Sequence, residues 1–148
     1  MARRVMREGV SPGPWCVLDA QPLSLLADND RAMMSLIEIA RQDGYAPAIS
    51  AVTIAEVRRA GQAAQRLRWL RSRLTVVPVT EPVADLAAEL LEATGLDGHE
   101  CVVDSLVVAT AAGVAGSAKV VSSDGSRVPK LCAAVSVDRA SPVQWVRV

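Results

Sequence analysis

The chain runs to 148 residues, the length of one ordinary domain, and is 51% hydrophobic, so a single sizeable core is expected. With no Phe, one Tyr and three Trp, that core has to be assembled from Val, Leu, Ile and Ala, a mixture that suits an α/β sandwich and argues against modules that read RNA by stacking bases on aromatics. Sixteen basic residues cancel sixteen acidic ones, which excludes a uniformly basic nucleic-acid surface and leaves only the local placement of charge to be read.

Residues 1–14 hold two prolines, two glycines and four charges without periodicity, and read as a flexible N-terminal leader to a domain spanning 15–148. The leader lacks the apolar stretch of a secretory signal, and no run approaches the length of a membrane span. A cytoplasmic protein is expected.

Trp15 to Leu18 is a short apolar strand that stops at Asp19. A helical stretch follows, with Leu23, Leu25, Leu26, Met33, Met34, Leu36, Ile37 and Ile39 ahead of a stop at Gly44. Pro47 to Ser50 is a second strand, and Thr53-Ile54-Ala55-Glu56 opens a helix as a capping-box pattern that continues to about Leu74, with Gly61 as a breakpoint. Leu74 to Val79 is a β-branched run typical of a buried parallel strand, and Glu81 to Thr94 an amphipathic helix stopped by Gly95. Residues 100–113 form a largely buried helix, Ala118 to Ser122 a core strand leading to Asp124, Val128 to Ala134 a short helix, and Val143 to Val148 a last strand. Strands alternating with helices call for a parallel sheet covered on both faces.

In open parallel sheets, ligands bind beyond the carboxyl ends of the strands, which makes Asp19 and Asp124 the first candidates for chemistry. Each could equally be a turn residue or helix cap. Glu56 begins the helix after the second strand, at the same edge of the sheet. Asp104 interrupts Cys101-Val102-Val103 and Leu106-Val107-Val108, where an ionised carboxylate needs a partner unless it shares a narrow exposed stripe with Glu100. Oxygen ligands without Cys or His select hard cations, Mg²⁺ or Mn²⁺, over zinc. The cysteines at 16, 101 and 132 are odd in number, lie in apolar sequence, and read as small core residues of a reducing compartment.

Together these segments resemble the PIN-domain family, and within it the toxin ribonucleases of the VapC type found in bacterial toxin-antitoxin pairs. The resemblance rests on Val17-Leu18-Asp19-Ala20, on Ile49-Ser50-Ala51-Val52-Thr53-Ile54-Ala55-Glu56, on Val103-Asp104-Ser105-Leu106-Val107-Val108-Ala109-Thr110-Ala111 and on Val120-Val121-Ser122-Ser123-Asp124, in the family's order. It implies a three-layer α/β/α sandwich with a central parallel sheet, Asp19, Glu56, Asp104 and Asp124 as metal-binding catalytic acids for Mg²⁺ or Mn²⁺, and endonucleolytic cleavage of RNA. It also implies a cognate antitoxin protein as partner, a homodimer, and a supporting role for Ser122. Gln21 departs from the small hydroxyl or amide residue usual in its place, and the leader is longer than in many members, with Met6 as an alternative start.

Between Glu56 and Glu81 stand six arginines and no acid, a stripe that is either a solvated face, a guide for an RNA backbone with Arg58 and Arg59 nearest the acids, or an antitoxin seat as in VapC-like proteins. His99, the only histidine, reads as a loop or cap residue, Glu100 as an auxiliary ligand to a second ion, and Trp69 as an interface anchor. Two rivals stand beside the ribonuclease: a catalytically degenerate PIN-like module that binds RNA or protein without cutting, and a receiver-like signalling domain. The latter needs paired acids after its first strand and a lysine after a late one, whereas Asp19 has no acidic neighbour and Lys130 follows no strand.

Overall fold

Residues 13–148 are described by the computed structural model, so most of the leader expected over 1–14 lies outside the described residues. In chain order the elements are β1 (Trp15–Leu18), α1 (Ala20–Ala27), α2 (Arg31–Gln42), β2 (Ala46–Ser50), α3 (Ala51–Glu56), α4 (Gly61–Arg73), β3 (Thr75–Val77), α5 (Glu81–Thr94), α6 (Val102–Ala112), β4 (Ala118–Ser122), α7 (Arg127–Ser136) and β5 (Val143–Arg147). The strands form one sheet in the order β3-β2-β1-β4-β5, and every pairing is parallel. Parallel strands cannot be joined by tight turns, so each link crosses a face of the sheet as helix, and the strands become apolar on both sides.

Alternation along β1 separates the two faces. Trp15 and Val17 pack with Leu90 of α5, Val107 of α6 and Leu131 of α7, while Cys16 and Leu18 pack with Leu23 and Leu26 of α1 and Met33 and Ile37 of α2. The expected single core is therefore two clusters divided by the sheet, because side chains two apart along a strand share a face and neighbours do not. Burying a side chain such as Leu18, Leu23 or Leu131 completely contributes about 1.5–3 kcal/mol each. Cys16, Cys101 and Cys132 are free and buried, as their apolar neighbourhoods predict. Among the described residues no helix is long and apolar enough to cross a membrane.

Three local expectations are corrected. The helical stretch from Leu23 to Ile39 is broken at Asp28-Asn29-Asp30, where Asn29 takes a left-handed conformation (φ 64°) and Asp30 caps α2 by accepting a bond from the Met33 amide. Asn and Asp tolerate that conformation and cap well, so three in a row override the continuous apolar periodicity. The capping box at Thr53 is absent: Ser50 caps the helix through the Val52 amide, the helix starts at Ala51, and Glu56 is its last residue. The division expected at Gly61 is present: α3 ends at Glu56, and Gly61, at φ 61°, starts the separate α4. β3 keeps three residues of the expected run Leu74 to Val79, because only Thr75 to Val77 find partners on β2.

Candidate active site

From β1 the chain moves outward to β2 and β3, then returns to the other side of β1 to lay down β4 and β5. The direction of winding reverses between β1 and β4, and a crevice opens beyond the carboxyl ends of two such strands. Asp19 follows β1 directly and Asp124 lies two residues beyond β4. The order differs from that of receiver-like sheets, 2-1-3-4-5, and Lys130 lies within α7, which removes the signalling-domain rival. No glycine-rich phosphate loop follows β1, where Asp19-Ala20-Gln21-Pro22 enters α1.

Ser122 ties the two strand-end acids together. Its buried hydroxyl donates to Asp19 Oδ2 at 2.8 Å and accepts from the Asp124 amide at 3.1 Å. Asp19 is further held by the Ala20 amide on Oδ1 (2.9 Å), and its own amide donates to the carbonyl of Val121 (3.0 Å). Asp124 Oδ1 accepts from the amides of Ser126 (2.9 Å) and Arg127 (2.8 Å). Both acids thus serve as cap or turn residues, the plainer of the two roles foreseen for them, and that role aims them: Oδ2 of Asp124 has no partner among the described residues.

The other two acids arrive on helices. α6 runs back beneath the sheet towards the start of β4, so its first turn, which contains Asp104, lies at the carboxyl edge of the strands. Asp104 is only half-buried, and its carboxyl is pushed up to about 6 by desolvation first, then by the charges of Asp19 and Asp124, against an opposing pull from Arg127. Glu56 stays at the same edge because α3 is only six residues, about 9 Å, long. Although the residue is exposed, partial desolvation, followed by the charges of Asp19 and Asp104, raises its carboxyl above the ordinary value. Neither carboxylate accepts a hydrogen bond from the described residues. Thr53, one turn before Glu56, is fully buried with its Oγ1 unpartnered.

The four acids therefore lie close enough to act on one another electrostatically, Asp104 with Asp19 and Asp124, and Glu56 with Asp19 and Asp104. They do not form a ready-made cage: among the described residues no three His, Cys, Asp or Glu side chains are gathered into a group that could hold a metal ion. The donor set itself, four carboxylates with a serine hydroxyl and no Cys or His, is the chemistry of a hard-cation site.

Around the cluster, His99 is exposed in a turn where Asp97 Oδ1 accepts the amides of His99 and Glu100 at 2.9 Å, in keeping with a loop residue. Glu100 pairs with Arg127 (3.3 Å). Arg127 escaped the sequence reading, and the signal available was weak: a basic residue three after Asp124, where the turn hands over to α7. Of the arginine stripe, Arg59 pairs with Asp28 at 2.9 Å, Arg66 donates to the Ala27 carbonyl at 2.7 Å, and Arg73 lies 4.5 Å from the ring centroid of Trp69. Arg59 and Arg66 thus tie the start and middle of this region to the end of α1, Arg73 stays within α4, and Arg58 remains exposed next to the Glu56 end of α3.

No family model and no curated protein matches the chain. Among solved structures, the chain is similar to one from the crystal structure of VapBC2 from Rickettsia felis bound to a DNA fragment from their promoter, with a TM-score of 0.63 and 15% sequence identity over 91% of this chain and 99% of that one. At that identity the likeness is one of fold, and it agrees with the α/β sandwich of five parallel strands described above.

Proposed function

We propose that this protein is a metal-dependent endoribonuclease, the toxin of a type II toxin-antitoxin pair, with Asp19, Glu56, Asp104 and Asp124 as its metal-binding catalytic residues. The observation that carries the reading is the joining of Asp19 and Asp124 through Ser122 at the winding reversal of the sheet, with Asp104 and Glu56 within electrostatic reach of Asp19. Like charges brought together at the mouth of a crevice cost stability, and a fold keeps them where a cation or proton repays that cost.

Mg²⁺ or Mn²⁺ held by these oxygens would polarise the phosphodiester and activate a water for in-line displacement. Asp19 and Asp124 are the fixed donors, oriented through Ser122 and the turn amides, so their free lone pairs meet a ligand without reorganising. Asp104 and Glu56, which accept no hydrogen bond from the described residues, would supply the remaining negative charge for the ion. With neither a Cys nor a Ser–His pair among the site residues, no protein nucleophile is required.

The antitoxin partner is supported by the fold-level neighbour, a chain of the VapBC2 complex. A groove of about 550 Å³ between α1, α2 and α4, lined by Leu26, Met34, Arg66 and Trp69 among others, is its proposed seat. A homodimer acting in the cytoplasm completes the proposal. The test is cleavage of RNA by the purified chain in Mg²⁺ or Mn²⁺, with EDTA and with Asp104→Asn. Loss of cleavage in both supports the assignment; undiminished cleavage in either overturns it, and RNA binding with no cleavage under any condition favours the non-cutting module.

A further inference from the structure

Arg127 follows Asp124 into α7 and its positive charge acts on Asp104, yet the hydrolytic chemistry proposed for the four acids does not use it. Its backbone is fixed, since its amide donates to Asp124 Oδ1 at 2.8 Å in the first turn of α7. Its guanidinium does not fall onto the acids. It reaches instead to Glu100 Oε2, at the approach to α6, and Glu100 is held there by its own amide on Asp97 Oδ1 (2.9 Å).

That pairing is built to be exchanged. The contact is single, long at 3.3 Å, and its partners are 42% and 67% exposed, so it contributes little, about 0–1 kcal/mol. A guanidinium has five N–H donors in a planar fork that matches two oxygens of a phosphate, and only one is engaged here among the described residues.

We propose that Arg127 is a substrate-binding residue that grips a backbone phosphate of single-stranded RNA beside the carboxylate cluster, with Glu100 as an exchangeable placeholder holding the guanidinium off Asp104 until the phosphate arrives. The inference rests on the ribonuclease reading. It gives Glu100 a role other than auxiliary metal ligand.

The test uses the full chain in an Asp104→Asn background, so that RNA is bound without being cut, and follows anisotropy of a labelled single-stranded RNA in Mg²⁺ across a salt series. Arg127→Ala is expected to weaken binding about tenfold and to lower the slope of log affinity against log salt by about 0.7, one phosphate contact. Arg127→Lys keeps the slope because it keeps the charge, and Glu100→Gln tightens binding about two- to threefold by freeing the guanidinium. Melting temperature is read on every variant. Unchanged affinity and slope in Arg127→Ala overturns the proposal while leaving the ribonuclease reading intact. A weakened Arg127→Ala with the parent's slope and a lowered melting temperature assigns a structural role and overturns it too. If the parent chain neither binds RNA here nor, with Asp104 restored, cleaves it, both readings fall.

Discussion

Asp19 and Asp124 stand behind adjacent strands and are held by amides and by Ser122, whereas Glu56 and Asp104 ride on helices and accept no hydrogen bond from the described residues. The difference comes from how chain leaves each element. A strand that turns into a helix exposes unpaired amides, which neutralise a carboxylate placed there. Asp104, although in the first turn of α6, and Glu56, the last residue of α3, take no amide, so desolvation and neighbouring carboxylates raise both, offset at Asp104 only in part by Arg127. Half of the cluster is therefore organised by hydrogen bonds, and the other half is not.

The comparison can be broken most sharply at Asp104. Asp104→Asn should lower RNA cleavage by about a thousandfold or more, as loss of a metal-binding catalytic acid would, yet leave the cation-free protein no less stable, with a gain of about 1 kcal/mol after solvent screening. Calorimetric melting beside the cleavage assay reads both. The strand side predicts the opposite sign for stability: Asp19→Ala removes the α1 cap and strands the buried Ser122 hydroxyl, a loss of about 2 kcal/mol in denaturant titration. Ser122→Ala is milder, about 1 kcal/mol in stability and about tenfold in cleavage, because both acids keep their turn amides.

The smallest effect is on pH. Asp104 binds its proton more tightly folded than unfolded, so the native state holds more protons between its ordinary value of 3.8 and about 6. Stability of the cation-free protein should fall as pH rises through that window, by about 1 kcal/mol from this group after screening, and level off above it. Glu56 is raised as well and acts in the same direction. In Asp104→Asn the fall should shrink; a chelated wild-type protein whose melting temperature climbs steadily from pH 4 to 6 would contradict the assignment.

Much of this was legible in the sequence. The apolar runs Trp15 to Leu18 and Ala118 to Ser122 stop where β1 and β4 stop, and Asp19 and Asp124 follow them because a polar residue after a buried strand must turn out of the sheet. Thr80 and Gly95 close α5 at the ends the pattern predicted, Gly95 at φ 67°. The misreadings share a cause: local motifs with two solutions. Thr53 and Glu56 have the spacing of a capping box, but Ser50 comes first and takes the cap, leaving Thr53 buried and Glu56 at the far end of a short helix. Asp28-Asn29-Asp30 interrupts an apolar periodicity that reads straight through it. Arg127 is legible only in space, since its relation to Asp104 and Glu100 is made by packing between α6 and α7 and not by spacing.

Calorimetric titration of Mn²⁺ into the chelator-stripped chain at neutral pH puts the whole account at stake. Saturable binding that is lost in Asp104→Asn, and that raises the melting temperature of the wild type alone, is the predicted result. Absence of binding to the wild type, or equal binding to both proteins, would show that these acids do not work together on a divalent ion.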